Sequence, residues 1–228
     1  MLSVLRAAPP GARVGLALTR GSGLLAAALS CAFLLQGLTR SRLPVVDSLI
    51  SELEARDQPD SAVFRTASLL AGLLTIALAA GLRRRLPPGA LGAAGCAALA
   101  LSGLGGVADA LLPMDCAPSV NLVCRRNEQH GALSWPHQMH TWSSVLGAAA
   151  LLASLWLLGR HVRARPGWQR ISLVGTAGGG PLIAYSGVVT VMAAYYLPGV
   201  GLAQRLQVLA FSAWLAVLGL ATPASGAG

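Results

Sequence analysis

The chain has 228 residues, of which 54% are hydrophobic and only 11% are charged, and its formal net charge is +9. A soluble domain carries about a quarter charged residues, so this composition excludes an ordinary soluble protein and indicates one that lies in a lipid bilayer. The positive charge does not require a nucleic acid. No basic stretch is interleaved with aromatic residues, and arginines beside a membrane serve topology and attraction to anionic lipid headgroups.

Six apolar blocks are long enough to cross a membrane, since about 20 residues span the hydrocarbon. Backbone groups in lipid must be satisfied internally, so the pattern predicts an all-α, multi-pass transmembrane bundle. Residues 1–20 are expected to form an N-terminal cytoplasmic segment, 21–222 one membrane domain and 223–228 a flexible tail. The first block is predicted to stay as a helix, because it exceeds a signal-peptide core of about 7–15 residues. The predicted helices are 21–38, 62–82, 87–112, 137–159, 171–197 and 204–221.

The arginines predict the orientation of the bundle. All 17 basic residues are arginine. With six spans, the N-terminus, the 83–85 turn and the 160–170 loop share one side with the C-terminus. That side carries ten arginines and no acid. The positive-inside rule then places both termini in the cytoplasm.

The first outer loop, residues 39–64, is long and polar. Its acidic residues and prolines are compatible with a short amphipathic helix lying on the bundle or with a solvated connector, and the sequence leaves both open.

The second outer loop collects most of the chemistry of the chain. Three carboxylates, two cysteines and three histidines lie within residues 109–140. Cys116 and Cys124 are predicted to form a disulfide, because this loop lies on the side where disulfides persist. Cys31 and Cys96 lie in apolar helices and are expected to pack as small hydrophobic residues.

The histidines suggest a metal site. His137 and His140 share one face of the first turn of a helix that starts near Pro136, and two imidazoles so placed can hold one ion. Asp115 could supply a carboxylate ligand and His130 a third nitrogen, a donor set that suits zinc. The alternative is that these histidines only form hydrogen bonds to their neighbours.

Asp109 lies inside an apolar run, where a carboxylate costs a few kcal/mol unless it is paired, protonated or hydrated. One interpretation is a proton relay, an ion ligand or a catalytic acid. The alternative is an ion pair with Arg65 or Arg205 at the headgroups.

Several short motifs resemble a bacterial domain-of-unknown-function family of six-helix membrane proteins. They are the run 47–53, which contains Ser48, Ser51 and Glu52, the turn 112–116, the histidine at the head of the fourth helix and the run 201–205. The resemblance covers nearly the whole chain and implies the fold and the membrane location. It carries no established activity. The paired cysteines and the histidine pair look like an actinobacterial-like subset of that family.

A looser similarity is to the membrane hydrolases that include alkaline ceramidases and progestin-type receptors, which hold zinc with three histidines and use an Asp and a Ser. That resemblance implies such roles for Asp109 or Asp115, His137, His140 and Ser143. The departures are six helices instead of seven and no histidine pair on the last helix.

Two functional classes stay open. The favoured one is a non-enzymatic membrane protein, either a small-solute carrier or an assembly partner. The other is a metal-dependent hydrolase or lipid-modifying enzyme with its site at the outer face. The expected partners are the bilayer, a lipid or small-molecule ligand and further copies of the chain in an oligomer; a nucleic acid is not expected.

Overall fold

The computed structural model describes residues 10–224, and these residues form helices and turns without a β-strand. The predicted tail therefore lies almost wholly outside the described residues, as do residues 1–9. The prediction of an all-α bundle is confirmed. The α-helices are α1 (Pro10–Ser30), α2 (Ser61–Arg83), α3 (Ala90–Leu111), α4 (Leu122–Gln129), α5 (Trp135–His161), α6 (Gln169–Ala194) and α7 (Val200–Leu220).

Six of the helices are long and apolar enough to cross a membrane, and α4 is the exception. The first span runs through α1 and a following 3₁₀ helix, Ala32–Leu38. It starts well before the predicted residue 21, because Arg13 and Arg20 are accommodated within α1. Long arginine side chains can reach the headgroups from inside a span.

The six spans form a closed ring. In ring order the neighbours are α1, α2, α3, α5, α6 and α7, and α7 packs again on α1. We call the side of the ring that carries residues 39–60, 112–134 and 195–199 the loop face, and the opposite side the arginine face. The main apolar core fills the half of the ring next to the arginine face, where Leu82, Leu158, Trp168, Trp214 and Leu218 are buried. The half next to the loop face is therefore the part of the interior that can hold polar groups.

Glycines bring α2 and α3 together at backbone distance. A Cβ on Gly103 would lie 2.6 Å from the carbonyl oxygen of Gly72, and a Cβ on Gly72 would lie 2.6 Å from the oxygen of Gly103. Small residues at helix contacts allow this close approach in membranes. No larger residue fits at either position without separating the two helices.

The first outer loop folds over the end of the ring. A 3₁₀ helix, Ile50–Glu54, buries Glu52, Leu53 and Glu54. Of the two interpretations of this loop, a short helix on the bundle is therefore correct, although the helix is 3₁₀.

The buried Arg205 of α7 holds this loop in place. Its guanidinium donates to the carbonyl oxygens of Val45 and Ser48, each at 2.8 Å, to that of Gly201 at 3.0 Å and to Oε1 of Gln36 at 2.7 Å. Four acceptors satisfy the planar fork of an arginine well. Arg205 thus joins α7, the first loop and the end of the first span.

The second outer loop contains α4, a helix that the sequence analysis missed. The side chain of Asn121 caps it by accepting hydrogen bonds from the backbone N–H of Val123 and Cys124. The predicted disulfide between Cys116 and Cys124 is confirmed and ties the start of α4 to the preceding turn. Cys31 and Cys96 are free thiols within the bundle.

Candidate functional site

A polar cavity of about 250 Å³ lies inside the ring, near the loop face, between α2, α3, α5 and α7. We call it the His140 cavity. Its polar wall contains Glu54, Ser68, Asp109, His140, Ser143 and Ser144, and its apolar wall includes Leu151, Phe211 and Leu215. The structure thus brings together three of the residues singled out in the sequence, namely Asp109, His140 and Ser143, with a glutamate from the first loop.

Asp109 is held by two serines of α5. Ser143 donates to Oδ1 of Asp109, and Ser144 donates to Oδ2 at 2.8 Å. The alternative prediction, an ion pair of Asp109 with Arg65 or Arg205, is wrong. Arg65 donates instead to the carbonyl oxygen of Ala110 at 2.9 Å, and Arg205 is fully engaged at the first loop. Within residues 10–224, Asp109 therefore has hydroxyl partners and no cationic partner.

His140 is only 2% exposed, and its two ring nitrogens have different surroundings. Nδ1 lies 3.1 Å from the carbonyl oxygen of Asp109 and 3.0 Å from that of Leu112. Because both neighbours are acceptors, Nδ1 must carry the proton and donate. In the neutral ring the lone pair is then on Nε2, a buried atom with no hydrogen-bond partner.

Glu54 is 5% exposed and has a similar imbalance. Its Oε1 accepts a hydrogen bond from Ser68 at 2.5 Å, and its Oε2 is buried without a partner. Burial raises the pKa of Glu54, and the hydrogen bond from Ser68 and the proximity of His140 oppose this only in part. Glu54 and His140, which both line this cavity, thus each have one buried polar atom without a hydrogen-bond partner among residues 10–224.

His137, one turn before His140, is satisfied at both ring nitrogens. The backbone N–H of Asp115 donates to Nδ1 at 3.0 Å, so in the neutral ring the proton is on Nε2. Nε2 lies 3.3 Å from Oε1 of Glu128 on α4 and donates to it. His137 and His140 are therefore held in opposite tautomers.

The groups around His137 complete a network that we call the His137 cluster: Asp115, Glu128, Ser134, His137 and Tyr196. Ser134 donates to Asp115 through both its hydroxyl and its backbone N–H, and Tyr196 donates to Glu128. Burial alone would raise the pKa of Glu128, but hydrogen bonds from His137 and Tyr196 bring it below its ordinary value. The pKa of Asp115 is likewise lowered, since the hydrogen bonds from Ser134 outweigh the effect of burial.

The four predicted metal ligands, Asp115, His130, His137 and His140, do not converge on one point. His130 is exposed and its Nδ1 bonds to the carbonyl oxygen of Arg126 at 2.7 Å, while both nitrogens of His137 are already engaged. No group of three His, Cys, Asp or Glu side chains in the described part of the chain is arranged to hold an ion. These residues therefore do not fit the zinc site that the sequence suggested.

The loop motif of Ser48, Ser51 and Glu52 joins the two outer loops. The hydroxyls of Ser48 and Ser119 lie 2.7 Å apart, and Glu52 accepts hydrogen bonds from the backbone N–H and the hydroxyl of Ser119. Burial raises the pKa of Glu52, and the bonds from Ser119 oppose this shift. Ser51 makes no such bond and lies in the wall of the His140 cavity.

A second cavity, of about 390 Å³, adjoins the first one on the side of α6. Its wall includes Glu52 and Glu128 at the loop face and Thr190 and Ala193 of α6. The two cavities share wall residues, which are Ser51, His140, Ser144, Ala148, Gln204 and Gln207. A thin polar wall therefore separates the His140 cavity from a space that reaches the outer loops.

Sequence reasoning missed Glu54 and Tyr196 as members of these sites. Glu54 looked like one acid among several in a solvated loop, and only its spacing of two residues from Glu52 set it apart. Tyr196 looked like an interfacial anchor. Its backbone has a φ of 52°, a left-handed conformation that is uncommon for residues other than glycine, and it lies in the turn after α6.

The fold and the polar interior define a multi-pass helical membrane protein with six candidate spans. Within that class the chain belongs to the family described as protein of unknown function (DUF998), whose model matches residues 21–221. The resemblance to a domain-of-unknown-function family is thus confirmed. No curated protein and no solved structure matches the chain.

Proposed function

We propose that the chain is a small-solute carrier of the bacterial cell membrane and that the His140 cavity is its solute site. One observation carries this proposal. Two side chains that are more than nine-tenths buried, Glu54 and His140, each leave a polar atom without a partner at one cavity. Buried polar groups are normally hydrogen-bonded, and an unsatisfied one costs about 1–3 kcal/mol, so a ligand that bonds to both atoms would remove this cost.

The position of the cavity supports a carrier. It lies within the ring of spans and not on an outer surface, and a polar wall separates it from a second cavity at the loop face. Solute sites of many transporters lie inside the bundle, with access that alternates between the two sides. In this proposal the second cavity is the entrance from the loop face.

The distribution of arginines supports an orientation with the loop face outside. Two turns, between α2 and α3 and between α5 and α6, lie on the arginine face. Together with the last turns of α2 and α5 they contain six arginines and no acid: Arg83, Arg84, Arg85, Arg160, Arg163 and Arg165. By the positive-inside rule that face is cytoplasmic, as are both termini. The Cys116–Cys124 disulfide would then lie on the oxidising side.

A second candidate function is a membrane hydrolase or lipid-modifying enzyme that uses the same cavity. The lone pair of His140 Nε2 could accept a proton from a water molecule, and Ser143 lines the same space. Ser143 donates to Asp109 and to the backbone carbonyl oxygen of His140, not to the imidazole ring, so it is not set up as a nucleophile with His140 as its base. The carrier is therefore the better supported of the two.

Accessibility from the two sides of the membrane tests the carrier. In a Cys31→Ala/Cys96→Ala background, Ala148→Cys places one thiol in the wall shared by both cavities. The probe is the membrane-impermeant cation trimethylammonioethyl methanethiosulfonate, applied to right-side-out and inside-out vesicles. We expect labelling from both sides, because a carrier exposes its site alternately.

Ala149→Cys is the matched control, because Ala149 is the next residue on α5, is exposed on the outside of the ring and lines neither cavity. In the membrane it faces lipid and should not react from either side. Labelling of Ala148→Cys from the loop face alone would favour the enzyme, and labelling from neither side would contradict both functions.

A further inference from the structure

The chemistry of the free atoms limits what the His140 cavity can bind. Glu54 Oε2 and His140 Nε2 are both acceptors when Glu54 is ionised and Nδ1 of His140 donates to the two carbonyl groups. A ligand that satisfies them must donate hydrogen bonds. An ionised carboxylate has only acceptors and would face two further acceptors.

The charged groups in the cavity wall also favour a ligand that donates hydrogen bonds, and one that is a cation. Two carboxyl groups, Glu54 and Asp109, line the cavity, and its wall contains no arginine and no lysine. Arg65 acts on Glu54 electrostatically, but its Nε–H is bonded to the carbonyl oxygen of Ala110. A buried carboxylate requires a cationic or hydrogen-bonding partner, and the second oxygen of Glu54 has no hydrogen-bond partner among residues 10–224.

A bare metal ion does not match the arrangement. The described residues contain no set of three acidic, histidine or cysteine ligands around one point. The acceptors instead belong to residues in the wall of a cavity of about 250 Å³, the volume of about eight water molecules at ~30 Å³ each. A small organic cation with several N–H groups can donate to more than one of them.

Another part of the wall is apolar, with Leu151, Phe211 and Leu215. A ligand with a charged head and a short alkyl or planar body would therefore have suitable surroundings at both ends. Binding sites of this kind combine an apolar lining with a few placed polar groups.

We infer that the solute of the His140 cavity is a small organic cation with N–H donors, a primary ammonium or a guanidinium, with Glu54 as its counter-ion and His140 Nε2 as a second acceptor. This inference rests on the proposed function, since it names the substrate class of the same site. Asp109 contributes negative charge and is kept in place by Ser143 and Ser144.

The test is equilibrium binding to the full chain in detergent with three small probes of different charge: guanidinium, urea and acetate. Guanidinium and urea have nearly the same planar shape, so a difference between them reports charge. We expect saturable binding of guanidinium at millimolar concentration and none of urea or acetate. Glu54→Gln should weaken guanidinium binding about tenfold or more, which corresponds to the loss of at least ~1.4 kcal/mol.

Asp60→Asn is the charge-matched control. Asp60 is in the first outer loop, is paired with the exposed Arg40 and lies outside both cavities. Its backbone has a φ of 62°, which asparagine also adopts, so the variant should fold and bind guanidinium as the parent does. Asp109→Asn is a second variant at the site. The size-exclusion profile of each protein shows whether weaker binding comes from a changed site or from a protein that does not fold.

Two results would overturn the inference: urea or acetate bound as well as guanidinium, or guanidinium binding that is absent in the parent or unchanged in a folded Glu54→Gln variant. The labelling of Ala148→Cys distinguishes a failure of the substrate class from a failure of the carrier function. Labelling from both sides without preference for the cation would refute the substrate class and leave the carrier.

Discussion

The His137 cluster and the His140 cavity lie one helical turn apart and contain the same kinds of groups: an imidazole, two carboxyl groups and serine hydroxyls. In the cluster both ring nitrogens and both carboxylates have protein partners. In the cavity, Glu54 and His140 each leave one buried atom free. Residue type and spacing do not distinguish a structural histidine from a binding histidine. The difference lies in whether the neighbours use up all of its hydrogen bonds.

Removal of each imidazole in turn should give the largest difference in stability between the two sites. His137→Ala should lower the free energy of unfolding by about 3–4 kcal/mol, because it leaves Glu128 and the N–H of Asp115 unsatisfied and opens a void. His140→Ala should cost about 1 kcal/mol, since it loses only two shared bonds to carbonyl groups at the rim of an existing cavity. Denaturant unfolding in detergent measures both.

His130→Ala is the control for this pair, because His130 is exposed and its removal should change stability by less than about 0.5 kcal/mol. Equal losses for His137→Ala and His140→Ala would mean that the two sites do not differ in the way described.

The disulfide gives a second, smaller effect on the cluster side. Cys116 and Cys124 are eight residues apart, and Glu128 lies on the helix that the bond anchors. Closing a loop of this size should contribute about 2–3 kcal/mol, so reduction should lower the stability by that amount. The measurement is unfolding of the parent with and without reductant.

The Cys31→Ala/Cys96→Ala variant assigns the effect of reductant, because it retains only the disulfide cysteines. If reductant leaves its stability unchanged, the bond does not support the second loop.

The smallest effect concerns Glu54 and pH. Its pKa in the folded protein lies above the ordinary value of 4.5, so between these two values the folded state binds more protons than the unfolded state. Stability contributed by the protonated form is therefore lost as the pH rises above about 4.5, and the loss levels off above the folded-state pKa. The glutamine of Glu54→Gln cannot ionise, so the variant should lose less stability as the pH rises. At pH 7 its free energy of unfolding should equal that of the parent or exceed it by about 1 kcal/mol.

The check is the free energy of unfolding of the parent and of Glu54→Gln at several pH values from 4 to 8, without guanidinium. A Glu54→Gln variant that is less stable than the parent at pH 7 but equal at pH 4 would show that the ionised Glu54 stabilises the fold, contrary to the proposal. The same variant that gains stability is expected to lose guanidinium binding.

The sequence predicted the spans and the disulfide because both depend on local information. A span is recognised from about 20 apolar residues in a row, and Cys116 and Cys124 are close in the chain. Asn121, which caps α4, is also a local signal. The helix that follows it is short and polar, so the sequence pattern there is typical of a loop.

The roles of the two histidines could not be predicted, because they depend on contacts between distant segments. His140 meets the carbonyl oxygens of Asp109 and Leu112, which the end of α3 brings alongside, and His137 meets the N–H of Asp115. Glu54 was missed for the same reason, since its partner Ser68 lies on α2 and the loop between them had no fixed path. The four predicted zinc ligands do not come together in the structure, because spacing along one helix does not determine where residues of other segments lie.

The backbone contact between Gly72 and Gly103 has a consequence for genetics. Both glycines also line the His140 cavity, so a random mutagenesis screen for lost activity would score them beside Glu54 and His140. The glycine alleles should nevertheless reduce the amount of protein in the membrane, because a side chain at either position forces α2 and α3 apart. Immunoblots of the membrane fraction would therefore sort such alleles into those that damage the wall of the site and those that change its chemistry.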